Sequence, residues 1–174
     1  MGQTQNHRVT QRKGRSKQRQ RALDVLFEAD CKDLQITDLV DLLAARQTLS
    51  TAQQPIQAYG TQIVETYAAS HDDIDSMIEA ASPAWALSRM SMVDRNLLRI
   101  GATELMYLNV DLPIVVKEIA NLAREFSGDK AVSFTMGILN RIDEIRSLET
   151  SGEGNANLVD ASTSDEFNLP SHQD

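Results

Sequence analysis

Apolar residues recur every three or four positions through the middle of the chain, and each run ends at a recognisable stop signal. Ala22, Val25, Leu26 and Ala29 form one stripe, on a helix that can begin near Ser16, a residue suited to an N-cap. Thr37 caps a second candidate with Leu39, Val40, Leu42 and Leu43 as its buried side, and residues 47–54 (QTLSTAQQ) read as a loop. Pro55 suits the first turn of a third helix, with Ile56, Tyr59, Ile63 and Tyr67 repeating at helical spacing. A break over residues 70–73 precedes a short helix carrying Ile74, Met77, Ile78 and Ala81, stopped before Pro83. After Trp85 and Leu87, a strong helix starts at about Ser91, with Asp94 placed as in a capping box and Val93, Leu97, Ile100, Leu105 and Leu108 along it. Pro113 opens the next, with Val115, Ile119, Leu122, Ala123 and Phe126 inward, and Ser127-Gly128 ends it. The last runs from about Lys130 with Phe134, Ile138, Ile142 and Ile145.

This pattern predicts an all-α fold, a bundle of six or seven helices in two halves divided near Pro83, with no strand and no internal repeat. Residues 1–14 are polar and basic and are expected to be a disordered arm; residues 15–148 form the helical domain. Beyond Leu148, Ser, Gly, Asn and acids predict a disordered tail over 149–174.

Charge sharpens that division. The chain of 174 residues has a net charge of −8. Residues 1–21 hold Arg8, Arg12, Lys13, Arg15, Lys17, Arg19 and Arg21 and no acid, which leaves −15 for the remainder. The tail from Glu149 has six acids and no Lys or Arg. Polyanion binding is therefore expected on the basic arm, not on the acidic body. Hydrophobic residues make up 41% and aromatics only 5%, so the apolar supply is mainly aliphatic and helix-favouring. The single cysteine, Cys31, rules out an internal disulfide and fits a reducing cytoplasm. No apolar run approaches the roughly 18 residues of a membrane span, and no secretory signal follows the basic start.

Catalytic chemistry finds no constellation. His7, His71 and His172 fall in tails or breaks, with no His or Cys at ligand spacing. No glycine-rich phosphate loop is present, Cys31 reads as a structural or incidental thiol, and Glu104 and Glu118 lie on helices without a visible partner. No cofactor or metal is expected, and the chain does not read as an enzyme.

The basic run is the better lead. On an ideal helix Lys17 and Arg21 lie roughly 40° apart and off the Ala22/Leu26/Ala29 stripe, facing solvent. Arginine suits phosphates and unpaired bases. Phe27, about 140° from Ala22, sits at the edge of the apolar face, where an aromatic can stack on a base. On pattern alone, nucleic-acid binding and a merely solvated basic face stand level, an edge Phe is more often core, and DNA stays open beside RNA because helices also enter major grooves.

Three blocks tip that balance. Residues 16–30 (SKQRQRALDVLFEAD) join a basic run to an Ala-Leu-aromatic pattern. Residues 85–108 (WALSRMSMVDRNLLRIGATELMYL) contain V-[DE]-[RK]-x-[IL]-L-R followed by a Gly/Ala-x-x-Glu-Leu helix. Residues 113–142 carry Pro, then E-x-x-x-L-A-[KR]-x-F over Glu118–Phe126, then Phe134, Gly137, Ile138 and Leu139. In this order and spacing they resemble the NusB family of transcription antitermination proteins over about residues 12–146. Two positions depart from the family's pattern: Met136 stands where Asn commonly precedes the glycine, and Lys117 where Asn or Asp commonly precedes the glutamate. The segment from Pro113 to Glu118 is also two residues short.

The resemblance implies binding of the single-stranded boxA element of nascent RNA, notably ribosomal RNA, together with the ribosomal protein NusE, within an RNA polymerase antitermination complex. By matching positions it implies phosphate contacts from Arg15, Lys17, Arg19 and Arg21, assisted by Arg12 and Lys13. Phe27 stands where the family has a tyrosine implicated in RNA contact and keeps the stacking face. Asp94 matches an acidic position near RNA and either accepts from a base or caps its helix. Lys130 would add a phosphate contact at the far edge. The acidic body would repel RNA elsewhere and attract a basic partner, with its C-terminal half the expected NusE side. Some family members form homodimers, so a dimer that hides the arm is one expected state. The chief rival is a helical adaptor that binds only proteins; a methyltransferase fragment lacks the length and the cofactor loop.

Overall fold

The computed structural model describes residues 3–48 and 54–159, and the side chains of residues 14–48 and 54–152. Its described residues form seven α-helices and one short 3-10 turn: α1 (Gln3–Cys31), α2 (Ile36–Thr48), α3 (Ala58–Ala69), α4 (His71–Ala81), the turn Leu87–Arg89, α5 (Met92–Tyr107), α6 (Leu112–Phe126) and α7 (Asp129–Val159). No strand occurs among them, so the all-α expectation holds.

α5 is the central helix. It packs against α1, α3, α4, α6 and α7, and accordingly a long stretch of it is buried, from Asn96 through Leu105 apart from Arg99. One continuous apolar core runs through the molecule, from Ala22 and Leu26 of α1 to Leu139 and Ile142 of α7. α4 joins α5 and α7 more extensively than α3. The division into halves therefore falls before α4, near Ser70, and not at Pro83.

Several boundaries differ from the sequence reading for identifiable reasons. α1 reaches back to Gln3 and α7 runs past Leu148 to Val159; no proline lies upstream of Pro55 or between Pro113 and Pro170 to stop either helix. Ser16 is inside α1, where its hydroxyl donates to Glu118 Oε2 at 2.7 Å instead of capping. Pro55 precedes α3 rather than opening it, although Ile56 beside it is buried. Val40 and Phe126 were expected inside but are 51% and 40% exposed. α2 packs chiefly against α1 and α3, so its buried stripe is narrow, and Phe126 is the last residue of α6. Residues 49–53 of the expected loop and residues 160–174 of the expected tail lie outside the described residues.

Two glycines set geometry near the functional surface. At Gly60 a Cβ would lie 2.8 Å from the backbone oxygen of Gln18, so only glycine lets α3 press this closely on α1. Gly128 has φ of 119°, and its N–H donates to the Ala123 carbonyl at 2.8 Å, the left-handed ending expected for α6.

Candidate nucleic-acid interface

The periodicity of α1 distributes its basic run over opposite sides. Lys17 is exposed and Arg21 half-buried, its guanidinium 2.8 Å from Asp24 Oδ2. Arg15 is exposed, and its guanidinium lies over the Tyr59 ring, 4.7 Å from the centroid. The side chains of Arg12 and Lys13 lie outside the described residues.

Arg19 goes the other way, and here the sequence reading is corrected. It is only 2% exposed, because its position on α1 falls within the stripe defined by Ala22, Leu23 and Leu26. Its Nε donates to Glu104 Oε1 at 2.8 Å, and Nη1 lies 3.7 Å from Glu118 Oε2. The Tyr59 hydroxyl donates to the same Glu104 oxygen. Glu104 and Glu118, which looked partnerless in the sequence, thus receive the arginine of a helix far away in the chain. Burial pushes the Glu104 carboxyl above its ordinary range, against the pull of Arg19, and Glu104 Oε2 is buried with no hydrogen-bond partner. An arginine so held cannot leave for a phosphate without stranding a buried carboxyl group that has lost its partner. Arg19 is an anchor that fixes α1 to α3, α5 and α6.

At the other end of α1, Phe27 is 38% exposed. Cys31, one turn further on the same face, places its Sγ 3.8 Å from Met92 Sδ at the start of α5. Met92 is 38% exposed. Two residues on, the expected cap forms: the Asp94 N–H donates to Ser91 Oγ at 3.0 Å. The Asp94 carboxylate does not close a capping box; its Oδ1 accepts from Ser127 Oγ at 2.7 Å. Ser127 lies in the turn that leads to Lys130, which is exposed at the start of α7. The structure thus brings the end of α1 that carries Phe27, the start of α5 and the α6–α7 turn into one neighbourhood.

A cavity of about 460 Å³ opens beside Asp94 and Lys130, lined also by Trp85, Arg89, Met90 and Phe134. Trp85 is 44% exposed and carries the Arg89 guanidinium 5.0 Å from its ring centroid. Its indole N–H donates to the Arg89 carbonyl at 3.2 Å. Of its lining, Asp94 and Lys130 were expected from the sequence, whereas Trp85 and Arg89 were not, because they sit at a short 3-10 turn where α-helical periodicity is silent.

The two arginines of the V-D-R-N-L-L-R block are also structural. Arg95 Nε donates to Asp30 at 2.7 Å, and Arg99 donates from two nitrogens to Asp75 at 3.0 and 2.9 Å. They brace α5 against α1 and α4. No cluster of His, Cys, Asp or Glu among the described residues could hold a metal ion, and no helix among them is long and apolar enough to cross a membrane.

Comparison with known proteins agrees with this architecture. The NusB family model matches residues 16–144. The transcription antitermination protein NusB of Streptomyces coelicolor is 35% identical over 133 residues, covering 76% of this chain and 94% of that protein. That of Beutenbergia cavernae is 40% identical over 135 residues, covering 74% and 88%. A solved structure of the antitermination factors NusB and NusE in complex with double-stranded RNA superposes with a TM-score of 0.61 at 26% identity, covering 75% of this chain and 96% of that one. The solution structure of NusB from Aquifex aeolicus shares the fold, with a TM-score of 0.58 at 24% identity over 91% of this chain and 98% of its own. With the family model matched over most of its length, the chain belongs to the NusB family.

Proposed function

We propose that this protein is a transcription antitermination factor that binds the single-stranded boxA element of nascent RNA, notably ribosomal RNA, as a heterodimer with NusE inside an RNA polymerase complex. The observation that carries the reading is the outward side of α1: Lys17, Arg21 and the exposed ring of Phe27 on one helix, in a chain of the family whose relatives are antitermination proteins. A related NusB has been solved with NusE and RNA. Arg12, Lys13, Arg15, Lys17 and Arg21 supply phosphate contacts, Phe27 stacks on a base, and Asp94 with Lys130 extend the track toward the α6–α7 turn. Arg19 holds the helix in place beneath them.

Arg21 must release Asp24 to reach a phosphate. A partly exposed pair of this kind is worth about 1 kcal/mol or less, so the exchange costs little. The same ion pair favours the rival in which the face is merely solvated and the protein binds only proteins. A gel-shift with boxA RNA, with and without NusE, separates the two. A retarded complex that tightens when NusE is added supports the proposal; no shift in either lane overturns it. About 3–5 phosphate contacts on a single strand give a log-log salt slope of roughly −2 to −4, and a salt-independent affinity contradicts the cationic track.

A further inference from the structure

We infer that the cavity at the start of α5 is a binding pocket for one unpaired base of the bound RNA, with Trp85 as its stacking platform. This inference rests on the RNA-binding reading and assigns to it residues that the basic helix does not include. Three features point to a base. The pocket holds about 460 Å³ and is lined by the half-exposed indole of Trp85, which carries Arg89 on its ring, with Phe134 and Met90 around it, the size and the apolar lining that suit a small planar ligand. Its rim bears two cations, Arg89 and Lys130, against one acid, Asp94. In a body that sums to −15 outside its first 21 residues, this is a place where a polyanion can approach.

The third feature is the arrangement of the polar groups. Arg89 and the Trp85 ring lie 5.0 Å apart, and the bond from the indole N–H to the Arg89 carbonyl fixes the ring's tilt. Stacking is thereby preorganised, and the ring needs no partner for its N–H. Asp94 is oriented by Ser127 through Oδ1, which leaves Oδ2 to accept from a base that presents an amino or imino donor. Lys130 serves the phosphate of the same nucleotide. The pocket is continuous with the proposed track, because Asp94 is two residues from Met92, whose sulfur meets Cys31 at the end of α1.

Trp85 is the only tryptophan in the chain, so its fluorescence reports this pocket and nothing else. The full-length protein is titrated with a short single-stranded boxA RNA, and binding is followed in parallel by anisotropy of a labelled copy of that RNA. Quenching of Trp85 in step with the anisotropy change is expected. Replacing the bases of the RNA one at a time by abasic residues should abolish the quenching at one position while leaving most of the affinity. Trp85→Leu should bind about tenfold more weakly and Trp85→Phe close to wild type, with melting temperatures of both checked so that a folding defect is not read as lost stacking. Lys130→Gln, at an exposed site, should lower the magnitude of the salt slope by about 0.7.

RNA that binds by anisotropy yet leaves Trp85 fluorescence and the Trp85→Leu affinity unchanged overturns the pocket and spares the RNA-binding reading. Quenching that appears only when NusE is added without RNA marks a protein-docking site and overturns it as well. Absence of any RNA binding overturns both.

Discussion

Arg19 and Arg21 are two residues apart, carry the same charge, and have opposite fates. Arg19 is buried against Glu104, Tyr59 and Glu118, whereas Arg21 stays at the surface with an exposed acid as its partner. A rotation of roughly 200° between them decides this. The comparison teaches that a basic run on a helix is two objects: one side is a tether to the core, and the other is a surface that polyanions can reach. Charge counting adds them together, and mutational data on the run will mix fold stability with binding unless the sides are separated.

The strongest way to break the comparison is Arg19→Ala. Removing one partner of a buried pair should cost roughly 3–5 kcal/mol, a fall of about 10 °C in melting temperature for a chain of this size. RNA affinity measured well below the new transition should stay close to wild type. An unchanged melting temperature with lost binding would return Arg19 to the RNA surface. Phe27→Ala comes next, with about 1–3 kcal/mol of RNA binding lost and little change in thermal unfolding; a lower melting temperature with intact binding would make Phe27 a packing residue.

Lys17→Ala combined with Arg21→Ala should weaken RNA binding and make the log-log salt slope shallower by about 1.4, with stability within about 0.5 kcal/mol of wild type. A slope identical to wild type removes both from the phosphate track. The smallest effect concerns Glu28, two helical turns from Arg21, whose two oxygens accept from Arg46 Nε and Nη2 at 2.8 and 2.6 Å. Chiefly through Arg46, its carboxyl is held at about 2, below the ordinary 4.5. A lowered acid stabilises the fold above its ordinary range and loses that contribution as pH falls from about 4.5 toward 2. Glu28→Gln should therefore flatten that part of the acid limb in denaturant midpoints, and cost under about 1 kcal/mol at neutral pH because the pair is solvent-screened.

Much of this architecture was legible in the sequence because it follows from periodicity and stop signals. The helix ends at Ser127-Gly128 and the cap at Ser91 came from residues whose chemistry is local. The fate of Arg19 was not legible: its partners, Tyr59, Glu104 and Glu118, lie on three other helices, and no local pattern encodes such a meeting. Glu104 looked idle for the same reason. The part of the pocket that Trp85 and Arg89 supply escaped because it comes from a turn that only tertiary packing joins to the start of α5 and to α7. The resemblance to the family supplied the general surface, yet carrying its residues over one by one put Arg19 on the wrong side.

The Arg19–Glu104 contact closes a separation of 85 residues. During synthesis the first helix emerges with Arg19 unclaimed, and the acid that will capture it arrives far later. Until then the nascent segment is a more indiscriminate polycation than the finished protein. Completion of α5 therefore does more than add a helix, since it withdraws one arginine from circulation and leaves the remaining cations in a fixed pattern.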